Sequence, residues 1–88
     1  MQLKITADRI RIANNPVDLR KSVNGLSLHI IDELDMQPTE GVFVFYNKAR
    51  NRLKILGWHG NGFVLIYKRL EKGKFFVKVG QTDKIDIN

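Results

Sequence analysis

Apolar residues at Leu19, Val23, Leu26, Ile30 and Leu34 recur at steps of four and three, the spacing that lines one face of an α-helix. It predicts a helix over 19–34, with Asp18 as its N-cap and residues 35–41 as the exit loop. Ahead of it, "RIRIA" (9–13) alternates charged and apolar positions as a short half-buried strand does. Asn14-Asn15-Pro16 then reads as a turn, because proline pushes its predecessor out of helical geometry. Past Gly41 the period becomes two. "VFVFYN" (42–47), "RLKILGWH" (52–59), "FVLIYKRL" (63–70) and "KFFVKV" (74–79) are rich in β-branched and aromatic residues. "KAR", "GNG" and "EKG" between them suit hairpin connections.

One local pattern competes with the helix. Asn24-Gly25 is a favoured pair for a two-residue hairpin turn, with "KSV" and "LSLHI" as flanking strands. The five-residue helical stripe is the longer signal and is preferred. Gly25 then costs about 1 kcal/mol relative to alanine, a cost that close packing against a neighbouring strand would justify. The expected fold is a single α+β domain over residues 1–88, ordered β-α-β-β-β-β. It is an antiparallel meander of about four strands plus a short N-terminal strand, with one helix packed on one face.

Alternation assigns faces within the meander. Arg52, Lys54, Leu56 and Trp58 share one side of their strand and Leu53, Ile55, Gly57 and His59 the other. The next strand is apolar on both sides, with Phe63, Leu65 and Tyr67 opposite Val64 and Ile66. One helix covers one face only. The second face is expected to meet a loop, the N-terminal strand or a second copy in a homodimer.

Composition adds a size limit and a charge asymmetry. A chain of 88 residues buries little more than about 60% of its unfolded surface, so its stability is modest. Cysteine is absent and the N-terminal "MQLKITADRIRI" lacks the apolar run of a signal peptide. No window reaches the length of a membrane span, and a cytoplasmic protein without membrane attachment is expected. The net charge is +6. Residues 1–40 hold five Lys/Arg against six Asp/Glu, whereas residues 41–80 hold nine Lys/Arg against Glu71 alone. Clustered cations of this kind suit a polyanion, because binding releases the counterions condensed on its phosphates.

Catalytic constellations find little support. A two-metal nuclease needs convergent carboxylates, yet Asp32, Glu33 and Asp35 stand in a run that reads as a solvated helix end, and Glu71 sits in a turn. His29 and His59 are thirty residues apart with no cysteine to complete a zinc site. His29 reads as a packing residue, and His59 abuts a turn with no spacing that supplies an orienting acid or a nucleophile. "GWHGNG" lacks the Gly-Lys-Ser/Thr of a phosphate loop, and Asn61-Gly62 reads as turn chemistry. No catalytic residue, metal or cofactor is assigned.

The constellation with chemical content is basic and aromatic. All eight aromatic residues fall in 41–80 with the nine cations. "NKARNRLK" sets Lys48, Arg50, Arg52 and Lys54 at every second position, which an extended backbone would line along one side. "YKRLEKGK" adds Lys68, Arg69, Lys72 and Lys74 at a second hairpin. Alternating cations on a β-ribbon suit a phosphate backbone, and aromatic rings on a sheet stack bases. Most of the rings belong to the core; Trp58 and Tyr67 are the two assigned toward a ligand. Arg20 and Lys21, in the first turn of the expected helix, oppose its dipole. They answer either a nearby acid or a phosphate.

"VDLRKSVNGL" (17–26) and "VFVFYNKARNRLKILGWHGNGFVLIYKRLEKGKF" (42–75) resemble the small TnpB accessory protein, or Orf-two-like protein, of the bacterial IS sixty-six insertion sequences. The resemblance covers residues 9–76. It implies a protein needed for transposition beside a separate, larger DDE-type transposase, without an established catalytic activity of its own. Two positions depart from the family pattern. His59 follows the tryptophan where aspartate is common, and the chain closes on "VGQTDKIDIN" where relatives continue into a helical segment. The expected function is therefore that of a non-catalytic accessory protein binding DNA, the transposase or both through a basic β-hairpin surface. The named contacts are Lys48, Arg50, Arg52, Lys54, Trp58, Lys68, Arg69, Lys72 and Lys74. The alternatives are an interaction subunit that meets an acidic partner without touching DNA and, last, a small nuclease.

Overall fold

The computed structural model describes residues 3–76, 78 and 80–87, with 3–8 and 81–87 as backbone only. Five strands and one helix follow in the order β1 (Leu3–Ile12), α1 (Val23–Leu34), a short 3-10 turn (Pro38–Glu40), β2 (Val42–Tyr46), β3 (Arg52–His59), β4 (Gly62–Arg69) and β5 (Gly80–Ile87). The strands form one sheet in the order β4-β3-β2-β1-β5. The α+β class, the single helix and the β2–β3–β4 antiparallel meander agree with the sequence pattern. Three features differ from it.

First, β1 and β2 pair in parallel, Ile10 beside Val42 and Ile12 beside Val44. The helix lies between them in the chain and returns it to the end where β1 began, so the sheet is mixed rather than purely antiparallel. β1 is also longer than the expected 9–13, and Ala13 extends it by donating its N–H to the Val44 carbonyl at 2.9 Å.

Second, the helix begins at Val23 rather than at residue 19, with Ser22 at the N-cap position. Asp18 caps a lone turn instead. Its carboxylate accepts the Arg20 N–H at 3.0 Å, and the Lys21 N–H reaches its carbonyl at 3.3 Å. Val17 donates to the Tyr46 carbonyl at 2.9 Å, which holds this segment against β2. Leu19 still packs on the core, so the apolar stripe holds while its first member belongs to a loop. Gly25 meets no strand. A Cβ there would lie 3.1 Å from Cβ of Lys21, and the close neighbour is the side chain one turn earlier.

Third, the strand expected at 74–79 is not found among its described residues, and Val77 and Val79 lie outside them. Lys74, Phe75, Phe76 and Lys78 lie outside strands. Gly73 turns the chain with a φ of 85°, and Phe75 donates its N–H to the Arg50 carbonyl at 2.6 Å while its ring packs on the core. The chain then crosses to the opposite edge of the sheet, where β5 runs antiparallel to β1, from Gly80 beside Ile12 to Ile87 beside Leu3. The β4 edge therefore has no hairpin partner.

Register separates two faces. Arg11, Phe43, Leu56 and Leu65 form one rung and Phe45, Lys54 and Tyr67 the next. α1 covers this face with the buried Leu26 and Ile30, and His29 sets its ring edge against Phe45 at 5.8 Å. On the other face Ile10, Val44, Tyr46, Leu53 and Ile55 are buried within the single chain. The Tyr46 hydroxyl there donates to the Ala13 carbonyl at 2.9 Å. At β2 and β3 this face is buried within the chain itself, whereas Val64 on β4 is exposed.

Candidate nucleic-acid interface

α1 leaves part of its own face of the sheet uncovered, along β3 and β4. A groove of about 1000 Å³ opens there. The loop 16–20 forms one wall, the turn 47–49 closes one end, and Arg52, Lys54, Leu65 and Tyr67 make the floor. Four cations line it: Arg20, Lys48, Arg52 and Lys54. The one carboxylate, Asp18, is already engaged. The Arg20 guanidinium donates to both of its oxygens at 2.7–3.1 Å, which pulls the Asp18 carboxyl from 3.8 down to about 2. Because that value is depressed, the pair's contribution is full above the ordinary carboxylate range and is lost as pH falls toward about 2. Across neutral pH the pair is neutral overall, and Lys48, Arg52 and Lys54 carry the uncompensated charge.

Lys54 is held in place. Its Nζ donates to the Lys21 carbonyl at 2.9 Å and stands 5.8 Å from the Tyr67 ring centroid. Lys48 is positioned by the turn built around Asn47. Asn47 Oδ1 accepts from the Asn51 and Arg52 N–H groups at 3.1 and 3.0 Å, and Nδ2 donates to Asn51 Oδ1 at 2.7 Å. Replacing Asn47 with alanine removes these bonds and should lower stability by about 1–2 kcal/mol, read as a shift in the urea midpoint.

The nine residues named from the sequence divide by position. Lys48, Arg52 and Lys54 line the groove. Trp58 shares their face farther along β3, paired across the strands with Phe63, and the two rings meet edge to face at 5.0 Å. Arg69 lies opposite Arg52 but is tied to Glu71 at 2.7 Å. Lys68 pairs with Leu53 and so belongs to the other face. Arg50 is not extended: it sits at the turn tip with a φ of 59°, and its carbonyl receives Phe75. Lys72 and Lys74 follow β4 as exposed residues outside the groove. The stripe expected at 48, 50, 52 and 54 is thus interrupted by a turn, and the second hairpin expected at 68–74 does not form.

Sequence reasoning missed Asn47, Leu19 and Leu65. Leu19 reaches the groove on a loop, where the apolar spacing predicts helix. Leu65 carries only the ordinary alternation of a strand. Of the two partners open to Arg20, an acid or a phosphate, it meets the acid, Asp18. His59 is exposed beside the β3–β4 turn, where Gly60, at a φ of 62°, and Asn61 are the two turn residues. The turn expected at Asn61-Gly62 is one residue earlier, and glycine at its first central position matches a type II′ hairpin. Asp32, Glu33 and Asp35 are exposed at the end of α1. Among the described residues no three His, Cys, Asp or Glu side chains are grouped to hold a metal ion, and no helix is long and apolar enough to cross a membrane.

Two curated proteins of Sinorhizobium fredii are similar to this chain. The uncharacterized protein y4jC is 43% identical over 68 residues, covering 76% of this chain and 58% of its own length. The uncharacterized protein y4hO is 34% identical over 68 residues, covering 76% of this chain and 59% of its own. The chain thus corresponds to less than two thirds of either relative. No solved structure matches it. The family model described as IS66 Orf2 like protein matches residues 8–88, running from β1 through β5 and past the 9–76 of the sequence resemblance, and the chain belongs to that family.

Proposed function

We propose that this chain is a non-catalytic accessory protein of IS66-type transposition that holds nucleic acid by its phosphates in the groove between the 16–20 loop and β4. One observation carries the reading: the groove's four cations face a single carboxylate, and that carboxylate is spent on Arg20. Three uncompensated positive charges remain on a concave surface, an arrangement that draws a polyanion and releases its counterions. Among the described residues Asp18 is the only carboxylate that lines this groove, so the strand-transfer chemistry is assigned to a separate DDE-type transposase acting beside this protein.

The test is binding of labelled insertion-sequence end DNA at two salt concentrations. Three phosphate contacts give a log–log salt slope of about −2 to −3, so affinity should fall roughly twentyfold or more between about 50 and 200 mM salt. Absence of binding at the lower salt would sink the proposal and leave an interaction subunit whose basic groove meets an acidic protein.

A further inference from the structure

The groove continues into a row of exposed rings, which the phosphate reading leaves unused. Phe43, Phe45 and Tyr46 of β2 are buried, whereas Tyr67 is 52% exposed, Trp58 41% and Phe63 36%. All three lie on the face that carries Arg52 and Lys54. The rungs run Arg52–Arg69, Lys54–Tyr67, Leu56–Leu65 and Trp58–Phe63. Tyr67 and Phe63 are four residues apart on β4, about 13 Å at the rise of a strand. Cations are concentrated at one end of this strip and rings extend along it. Two contacts also limit the motion of these groups: Lys54 is anchored on the Lys21 carbonyl beside the Tyr67 ring, and Trp58 is braced edge to face by Phe63.

Resting on the phosphate-binding reading, we infer that the ligand of this strip is single-stranded nucleic acid. Its phosphates lie along Lys48, Arg52 and Lys54, and its unpaired bases stack on Tyr67 and on the Trp58–Phe63 pair. A duplex keeps its bases stacked on one another and offers a protein only their edges, so flat exposed rings give it nothing. The cations also line a groove walled by a loop and a turn, whereas the elements that read duplex DNA protrude into its groove. An unpaired strand uses both features, since base–aromatic stacking works on any base and a basic groove tracks the backbone. An acidic peptide would match the charges but would leave the three rings without a partner.

Trp58 is the only tryptophan, so its emission reports on the strip directly. The intact chain is titrated with oligothymidylate of about ten nucleotides, a length within the usual span of single-strand sites. Parallel titrations use a blunt duplex of equal length, an abasic oligomer of equal length and oligoglutamate. The expected result is Trp58 quenching by oligothymidylate, with affinity at least tenfold above that for the other three. Tyr67→Leu should weaken oligothymidylate about tenfold while leaving the salt slope and abasic binding unchanged, and Tyr67→Phe should restore affinity. Equal binding of abasic and normal oligomers, or no effect of Tyr67→Leu, would overturn stacking and leave the phosphate reading standing. Preference for the duplex would overturn single-strand selectivity alone. Oligoglutamate binding as tightly as oligothymidylate, or no binding of any nucleic acid, would overturn both readings.

Discussion

Replacing Phe45 with alanine should leave much of the chain unfolded at room temperature. Phe45 is fully buried in the middle strand of the sheet, on the face that α1 covers, where the His29 ring meets it edge-on. Removing the ring costs about 3–5 kcal/mol, the transfer term plus a cavity that helix and sheet close only in part. A domain this small has little stability beyond that, since folded domains start at about 5 kcal/mol. Urea titration followed by circular dichroism should show the transition moved to very low denaturant. Phe76→Ala is the matched control: that ring is 96% exposed and its loss should leave the midpoint unchanged. A Phe45→Ala protein as stable as the parent would mean that α1 does not seat on Phe45.

The second large effect is on binding. The double variant Arg52→Gln, Lys54→Met should lower affinity for single-stranded DNA roughly fiftyfold at about 50 mM salt and reduce the salt slope by about 1.4, two phosphate contacts at 0.7 each. The substitutions keep most of each aliphatic stem, so that packing is retained while charge is lost. Lys68 and Lys72 provide the comparison, one on the opposite face and the other outside the groove. Replacing both with methionine removes the same charge from the chain and should change affinity by no more than about twofold, given screening at that distance. Equal losses in the two double variants would show that net charge, not the groove, sets affinity.

Local pattern made the meander and the helical stripe legible before any coordinates. Period two gave Arg52, Lys54 and Trp58 a common face, and the register confirms it. The helix start was not legible, because Asp18 is as good a cap for a single turn as for a helix. What decides between them is the hydrogen bond from Val17 to Tyr46, a contact that sequence spacing does not contain. "KFFVKV" has the composition of a strand, yet Phe75 is drawn to the Arg50 carbonyl and the core, a tertiary override of propensity. "KIDI" in β5 did carry an alternating signal, although its neighbour across the sheet, β1, is remote in the chain. The groove was legible as residue types but not as a place. Lys48 and Arg50 share the parity of Arg52 and Lys54 in the sequence, and the left-handed turn at Arg50 breaks it.

The pairing of β5 with β1 has a consequence for how fast the molecule assembles. β2, β3 and β4 are joined by short turns, so their contacts close small loops and form early. β1 finds its outer partner only when residues from opposite ends of the described chain meet, Leu3 with Ile87 and Ile12 with Gly80. Closing so long a span is entropically costly and is rewarded only once the whole ladder zips. Refolding should therefore be paced by the seating of the last strand. Until that strand docks, the side of β1 that it will cover is an open sheet edge, the region of the half-formed molecule best suited to pairing with another chain.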